Sequence, residues 1–324
     1  MIRKVPVPTA GVMLGLAALG NLLAPYSMVS KYICGICAAF LGILLFSKVI
    51  LHPKMIKNDL NGNSIFASVF ATFFMAIMQL CTYTISFAPT ISEIVWYGAI
   101  IGHFILMTWF TWRYIFNFDL QEVFPTYFIA YVGIVVASVT APAFNQHHLG
   151  EYIFWFGFVS YMILFALVTI RYCSKHKIAE PAKPLFCIYT APMSLSLAGY
   201  LACVAEKSVF MIIIMQILAQ VLFVVVLTQM PKLLRLKFYP SYAAFTFPFV
   251  ITAIALRQTI SYLTQVGMIV PGIFNYLVEI EAMIATVIVV YVFIRYLNFL
   301  YEQMIVNMGD RAKSVFSLIG DILK

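Results

Sequence analysis

The chain has 324 residues, of which 63% are hydrophobic and 10% are charged. A soluble domain carries about 25% charged residues, and the mean hydropathy of +0.98 is too high for a surface in contact with water. These values exclude a soluble enzyme, a nucleic-acid-binding protein and a disordered chain, and they leave a polytopic membrane protein. The net charge of +8 is typical of basic cytoplasmic loops.

A membrane-crossing helix needs about 20 mostly apolar residues. A window of that length predicts ten helices, at residues 7–25, 30–51, 64–87, 92–115, 124–144, 150–172, 183–204, 208–230, 239–264 and 272–300. The connections after odd-numbered spans are short and those after even-numbered spans are longer and polar, which indicates five helical hairpins. Four odd-numbered spans begin at a proline, at Pro8, Pro125, Pro184 and Pro240. Their spacing favours five copies of one hairpin, although prolines also simply mark helix starts.

The basic residues predict the orientation. Of the 20 lysines and arginines, seventeen fall on the side of the two termini, while Lys31 and Lys207 fall on the other side and Arg257 lies within a span. Because basic residues collect on the cytoplasmic side, both termini are expected in the cytoplasm, with the protein in the inner or plasma membrane. Residues 1–304 are expected to form one transmembrane domain. Residues 305–324 are expected to form an amphipathic tail that lies on the cytoplasmic membrane surface or packs on a neighbouring subunit.

Three charged residues fall inside predicted spans, namely Arg257, Glu279 and Glu281. Charges within a membrane are costly and are usually paired or functional. Arg257 and Glu279 lie at matching depths, so one interpretation is a salt bridge that locks the last hairpin. The other is functional, with Arg257 drawing in anions or a glutamate relaying protons. No phosphate-binding loop, nucleophile elbow or metal motif appears, so we expect no enzyme activity, no cofactor and no metal.

The odd-numbered spans contain small residues and mid-helix prolines, at Gly11, Gly15, Pro142, Pro192 and Pro248. Kinked helices with small residues are typical of a bundle that encloses a narrow path. The even-numbered spans are more uniformly apolar, which suits contact with lipid. We therefore expect the odd-numbered helices to form an inner ring and the even-numbered helices an outer ring. The predicted pore carries no ring of acidic residues and so does not look like a cation filter.

Three segments resemble the tellurite-resistance/dicarboxylate transporter family, which includes TehA-like proteins, plant guard-cell slow anion channels and fungal malate permeases. The stretch from Pro8 to Leu19 is similar to the glycine-rich start of the family's first helix. Ala244-Phe245-Thr246-Phe247-Pro248 is similar to the family's Ala-Phe-Ser-Phe-Gly, and Ala191-Pro192 is similar to its seventh helix. The resemblance implies a homotrimer with a pore in each subunit, and it implies that Phe247 plugs that pore. The sequence departs from the motif at Pro248, where the family has glycine, which puts the mobility of the plug in doubt.

The expected function is an anion channel or channel-like transporter for chloride, nitrate or malate-like anions, with the lipid bilayer as its surroundings and no nucleic acid partner. A proton-coupled carrier of C4-dicarboxylates is one alternative, with Glu279, Glu281 and His103 as the candidate titrating groups. A resistance or scaffold protein that does not itself conduct is the other.

Overall fold

A computed structural model describes residues 2–174 and 177–322, and for residue 304 and residues 306–322 it describes only the backbone. The described part is helical throughout, with no strand. Its helices are α1 (Thr9–Leu23), α2 (Met28–Leu51), α3 (Pro53–Gly62), α4 (Ser64–Thr84), α5 (Pro89–Ile115), α6 (Thr126–Tyr131 and Gly133–Phe144), α7 (His147–Cys173), α8 (Glu180–Cys203), α9 (Val209–Leu233), α10 (Pro240–Gln265) and α11 (Ile273–Ile322).

Eight of these helices are long and apolar enough to cross a membrane within the described residues, namely α2, α4, α5, α7, α8, α9, α10 and α11 up to Gln303. Each coincides with a predicted span. The first and fifth predicted spans correspond to α1 and α6, which are shorter apolar helices. The protein is thus an all-helical, multi-pass membrane protein. The short helix α3 is not predicted from the sequence, in which residues 52–63 form the connection between the second and third spans.

Local sequence fixes where several helices begin and end. The side chain of Ser27 accepts a hydrogen bond from the backbone N–H of Ser30 at 3.2 Å, and Asn63 accepts one from Ile65 at 2.8 Å. Both caps satisfy N–H groups that have no partner within the helix. Pro89 occupies the first turn of α5, where its missing N–H costs nothing. Asn145, with φ of 57°, ends α6 in the left-handed conformation.

Burial separates the helices into two groups. In α4, α8 and α10 between 67% and 83% of the residues in the membrane window are buried, whereas in α2, α5, α7, α9 and α11 the share is 28% to 33%. In α1, all residues except Asn21 and Leu23 are buried. We call α1, α4, α6, α8 and α10 the inner helices, and α2, α5, α7, α9 and α11 the outer helices.

The inner helices contact one another in a closed cycle, in which α1 packs on α4, α4 on α6, α6 on α8, α8 on α10, and α10 on α1. Each outer helix packs into the groove between two inner neighbours, for example α9 between α8 and α10, and α11 between α10 and α1. A ring of five helices within a second ring of five follows from these contacts.

The last helix runs without a break from Ile273 to Ile322, across the expected boundary between the membrane domain and the tail at residue 304. The side chains that would make the tail amphipathic, together with Leu323 and Lys324, lie outside the described residues. The amphipathic tail therefore stays a prediction.

Candidate pore and gate

A cavity of about 410 Å³ lies on the axis of the inner ring. All of its lining residues belong to inner helices or to the turns that immediately precede them, and every inner helix contributes, for example through Gly11, Thr72, Val132, Ile188 and Ala244. The cavity begins at the end of the bundle where the inner helices start. That end also carries most of the lysines and arginines, and we call it the basic face.

The cavity ends near the middle of the bundle. In successive inner helices its lining stops at Leu14, Met75, Gly133, Leu195 and Pro248. One helical turn further on, the same faces carry Ala18, Val136, Ala198 and Ile251, and these side chains are completely buried. In four of the five inner helices, the side chains beyond this level are therefore inaccessible from the cavity.

The lining is apolar, with few polar groups. Among the described residues that line the cavity, Glu122, at the mouth, is the only one with a charged side chain. The α-helical parts of α8 and α10 begin at Ala191 and Phe247, so both have their N-termini at the closed end of the cavity. The exposed N–H groups of a helix N-terminus carry partial positive charge and attract anions. Two helix N-termini therefore lie at the closed end, and no basic side chain is among the described residues that line it.

Phe247 lies at this closed end and is 6% exposed. The chain before it forms a 3₁₀ helix from Pro240 to Phe245, and the α-helix starts only after Thr246. The hydroxyl of Thr246 donates to the carbonyl oxygens of Gly11, at 3.0 Å, and Ala243, at 2.7 Å. Thr246 therefore fixes the break in α10 against α1.

Gly15 allows this contact. A Cβ atom at Gly15 would lie 2.4 Å from Cβ of Thr246 and 3.2 Å from the backbone nitrogen of Phe247. No side chain larger than hydrogen fits there without displacing the backbone next to Phe247. The close approach of α1 to the break in α10 consequently depends on glycine at this position.

The inner helix α8 has a matching break. It begins as a 3₁₀ helix from Glu180 to Thr190 and continues as an α-helix with Pro192 in its first turn. The hydroxyl of Thr252, in α10, lies 3.2 Å from that of Thr190 and 3.1 Å from that of Ser194. The Thr252 hydroxyl also donates to the carbonyl oxygen of Pro248 at 2.9 Å. These hydroxyls join the two proline-containing breaks.

The predicted pore residues differ in whether they lie at the cavity. Gly11, Pro192 and Pro248 line the cavity, and Gly15 lies behind Phe247. The mid-helix position expected for Pro142 is wrong, because Pro142 lies in the 3₁₀ turn Ala141–Phe144 that ends α6. A proline is tolerated in that terminal turn because the chain leaves the helix there, so it introduces no kink at the level of the cavity.

The direct salt bridge expected between Arg257 and Glu279 is also wrong, because Tyr26 lies between them. Arg257 donates to the carbonyl oxygen of Leu22 and to the hydroxyl of Tyr26, both at 2.6 Å. The Tyr26 hydroxyl in turn donates to the Glu279 carboxylate, whose oxygens lie at 2.6 and 2.7 Å. Glu281 takes no part, since it is 1% exposed and lies beside Gln220 of α9.

Tyr26 is not among the residues predicted from the sequence. The only signal for it is a tyrosine placed just after the end of α1, at the depth of two charged residues that are more than 200 positions away. Neither Arg257 nor the two glutamates line the cavity. The three charges expected within the membrane are therefore placed on the far side of the closed end or behind the inner helices.

Comparison with protein families matches residues 4–297 to SLAC1, the voltage-dependent anion channel family. A search of curated proteins finds no match. The matched region covers every inner helix and all outer helices up to residue 297 of α11. It includes the cavity, both helix breaks and Phe247. The chain therefore belongs to the voltage-dependent anion channel family, and it is a membrane anion-transport protein.

Proposed function

We propose that this protein conducts small inorganic or organic anions, such as chloride, nitrate or malate, through the cavity on the axis of the inner ring, and that Phe247 closes the path. The observation that carries the proposal is that the cavity is lined by all five inner helices and ends at Phe247. An aromatic ring in a narrow apolar bore blocks ions by its size and by excluding water.

Anion selectivity would arise from the two helix N-termini at the closed end of the cavity. Their partial positive charges favour anions, yet they hold an ion less tightly than a fixed arginine would. Weak binding suits conduction, because an ion must also leave. The apolar lining between them gives a cation no acidic group to coordinate at that level.

The proposed topology has ten crossings, with α1 and α6 as the two short ones, and both termini on the basic face. That face is assigned to the cytoplasm by the distribution of lysine and arginine. We further propose a homotrimer in the plasma or inner membrane, with one cavity in each subunit and residues 305–324 as a cytoplasmic tail. These proposals follow the family resemblance together with the charge pattern.

The decisive experiment compares Phe247→Ala with Phe249→Ala. Phe249 is fully buried but packs against Phe223 of α9, with ring centroids 5.7 Å apart, instead of lining the cavity. Both variants lose one buried aromatic ring, so a change in current caused by lost packing alone should appear in both. We expect Phe247→Ala to raise chloride or nitrate current in reconstituted bilayers by about tenfold or more, because only that ring closes the bore. Equal currents in the two variants, or none in either, would refute the gate.

The carrier alternative predicts a different result. A proton-coupled carrier places a titrating group at the substrate path, but Glu279, Glu281 and His103 do not line the cavity. If malate uptake into vesicles saturates and depends on a pH gradient, the channel proposal fails. If purified protein passes no anion with or without Phe247, the non-conducting scaffold takes its place.

A further inference from the structure

A second groove, of about 280 Å³, lies outside the pore at the basic face. It is formed by the end of α2, the short helix α3 and the outer helix α5, with Ile56, Lys57, Leu60, Asn61 and Trp109 among its lining residues. No inner helix contributes to the lining. The groove therefore faces the surroundings of the bundle and not the anion path.

The helix α3 gives this groove both an apolar wall and a charged rim. Ile56 is buried against the bundle, whereas Lys54 and Lys57 are exposed. A short helix with an apolar face and exposed lysines is typical of a segment that lies in the interface between membrane and water. The indole of Trp109, on the opposite wall, is the side chain that prefers the same depth.

The charge of the groove is positive and uncompensated. Asp59, the only acid in α3, binds Lys48 at 3.2 Å, and the Lys48 amine also donates to the carbonyl oxygen of Val5 at 2.8 Å. Lys54 and Lys57 have no acidic partner among the described residues. On the far wall, Nη2 of Arg113 lies 3.5 Å from the carbonyl oxygen of Asn61, a groove residue. Lys57 thus lines the apolar slot, while Lys54, three residues before it on α3, and Arg113, which contacts Asn61, lie next to the slot.

The slot continues toward the middle of the membrane. Phe46 lies one turn before Val49 on α2, and Ile105 lies one turn before Trp109 on α5. Residues three or four apart share a helix face, and these two side chains are 51% and 62% exposed. An acyl chain that left the groove would therefore meet apolar side chains along both walls.

We propose that this groove binds an acidic phospholipid, with the phosphate near Lys54, Lys57 and Arg113 and an acyl chain between α2 and α5. Basic pockets between membrane helices are the places where acidic headgroups bind. A ligand of this groove needs both an anionic headgroup and an acyl chain, because the slot is apolar and its rim is cationic. The inference is independent of whether the protein conducts anions.

Trp109 provides the assay. The protein is reconstituted in phosphatidylcholine vesicles that contain either phosphatidylglycerol or phosphatidylcholine brominated on the acyl chains, since bromine quenches tryptophan fluorescence on contact. We expect brominated phosphatidylglycerol to quench more strongly than brominated phosphatidylcholine. Trp109→Phe removes this excess, which assigns the signal to the groove.

The charge variants test specificity. The double variant Lys54→Gln/Lys57→Gln should weaken the apparent binding of phosphatidylglycerol by about 25-fold, from roughly fivefold for each charge. The matched control, Lys232→Gln/Arg235→Gln, removes two exposed charges from the end of α9 on the same face and should leave the quenching unchanged. Unfolding temperatures measured in phosphatidylcholine alone show that each variant is folded.

Three results would overturn the proposal. Equal quenching by the two brominated lipids means that only ordinary surrounding lipid occupies the groove. An equal loss in the control variant means that phosphatidylglycerol is attracted by the net charge of the face. Displacement by soluble glycerol 1-phosphate, at concentrations that leave the vesicle surface charge unchanged, means that the cations bind a free phosphate and that the apolar slot plays no part.

Discussion

Replacing Gly15 by alanine tests whether α1 holds the break in α10 in place. The added Cβ would lie 2.4 Å from Cβ of Thr246, which is 1.0 Å short of the shortest ordinary van der Waals contact, 3.4 Å. The neighbouring atom is not the end of a flexible side chain, so the backbone near Phe247 must move. Overpacking of this kind costs about 1–3 kcal/mol. We expect Gly15→Ala to lower the unfolding temperature of the purified protein, measured by intrinsic fluorescence in detergent.

Gly98→Ala is the matched control, because a Cβ at Gly98 in α5 meets no atom within 4 Å. Alanine within a helix is favoured over glycine by about 0.5–1 kcal/mol, so this variant should be as stable as the parent or slightly more stable. Adding Thr246→Gly to Gly15→Ala removes the clash and should recover part of the loss, which appears as a coupling energy in a double-mutant cycle. If Gly15→Ala unfolds at the same temperature as Gly98→Ala, the close contact between α1 and α10 does not exist.

Three further predictions concern the remaining polar contacts. Tyr26→Phe should lower the unfolding temperature slightly. Burial and the adjacent Glu279 carboxylate raise the pKa of Tyr26 above its ordinary value of 10.0, so the difference from wild type should hold below pH 10 and fade above it. A difference that does not depend on pH would contradict the bridge. Asp59→Asn should lower the free energy of unfolding by about 3 kcal/mol, because it leaves the buried Lys48 amine without its carboxylate. Lys48→Met should cost less, because the Asp59 side chain is 36% exposed and its carboxylate can hydrate. The reverse order in unfolding measurements would contradict this. Glu281→Gln should leave the unfolding temperature unchanged or raise it, because the carboxylate is buried beside Gln220 with no basic partner among the described residues. A large loss would show that the negative charge is needed.

The sequence predicts the position of the helices well, because apolar length is a local property. The spans predicted at 30–51 and 239–264 coincide within two residues with α2 and α10. The same criterion gives no warning of α3, since a ten-residue amphipathic helix is too short for a membrane window. The 3₁₀ start of α8 is also not predicted, because an apolar window does not distinguish a 3₁₀ helix from an α-helix.

The site is predicted less completely than the helices. Pro192 and Pro248 are placed at helix breaks on the cavity wall, as their chemistry suggests, while Pro142 is displaced to a helix end. Whether a proline falls at a break inside a helix or at its end depends on where the helix stops, which the sequence alone does not specify. The bridge through Tyr26 is not predicted from the sequence for another reason. It joins residues from three distant helix ends, and nothing in the local sequence relates them.

The hydroxyl contacts between α8 and α10 have a mechanical consequence. Thr252 touches both Thr190 and Ser194 on one side and the carbonyl oxygen of Pro248 on the other. A displacement of the chain at Phe247 that left α8 in place would separate Thr252 from α8 and leave the buried Thr190 hydroxyl without that partner, and a lost hydrogen bond costs about 1–3 kcal/mol when its groups stay buried. Moving both breaks together keeps the contacts. Opening by this route would be concerted, with two adjacent walls of the cavity shifting as one body.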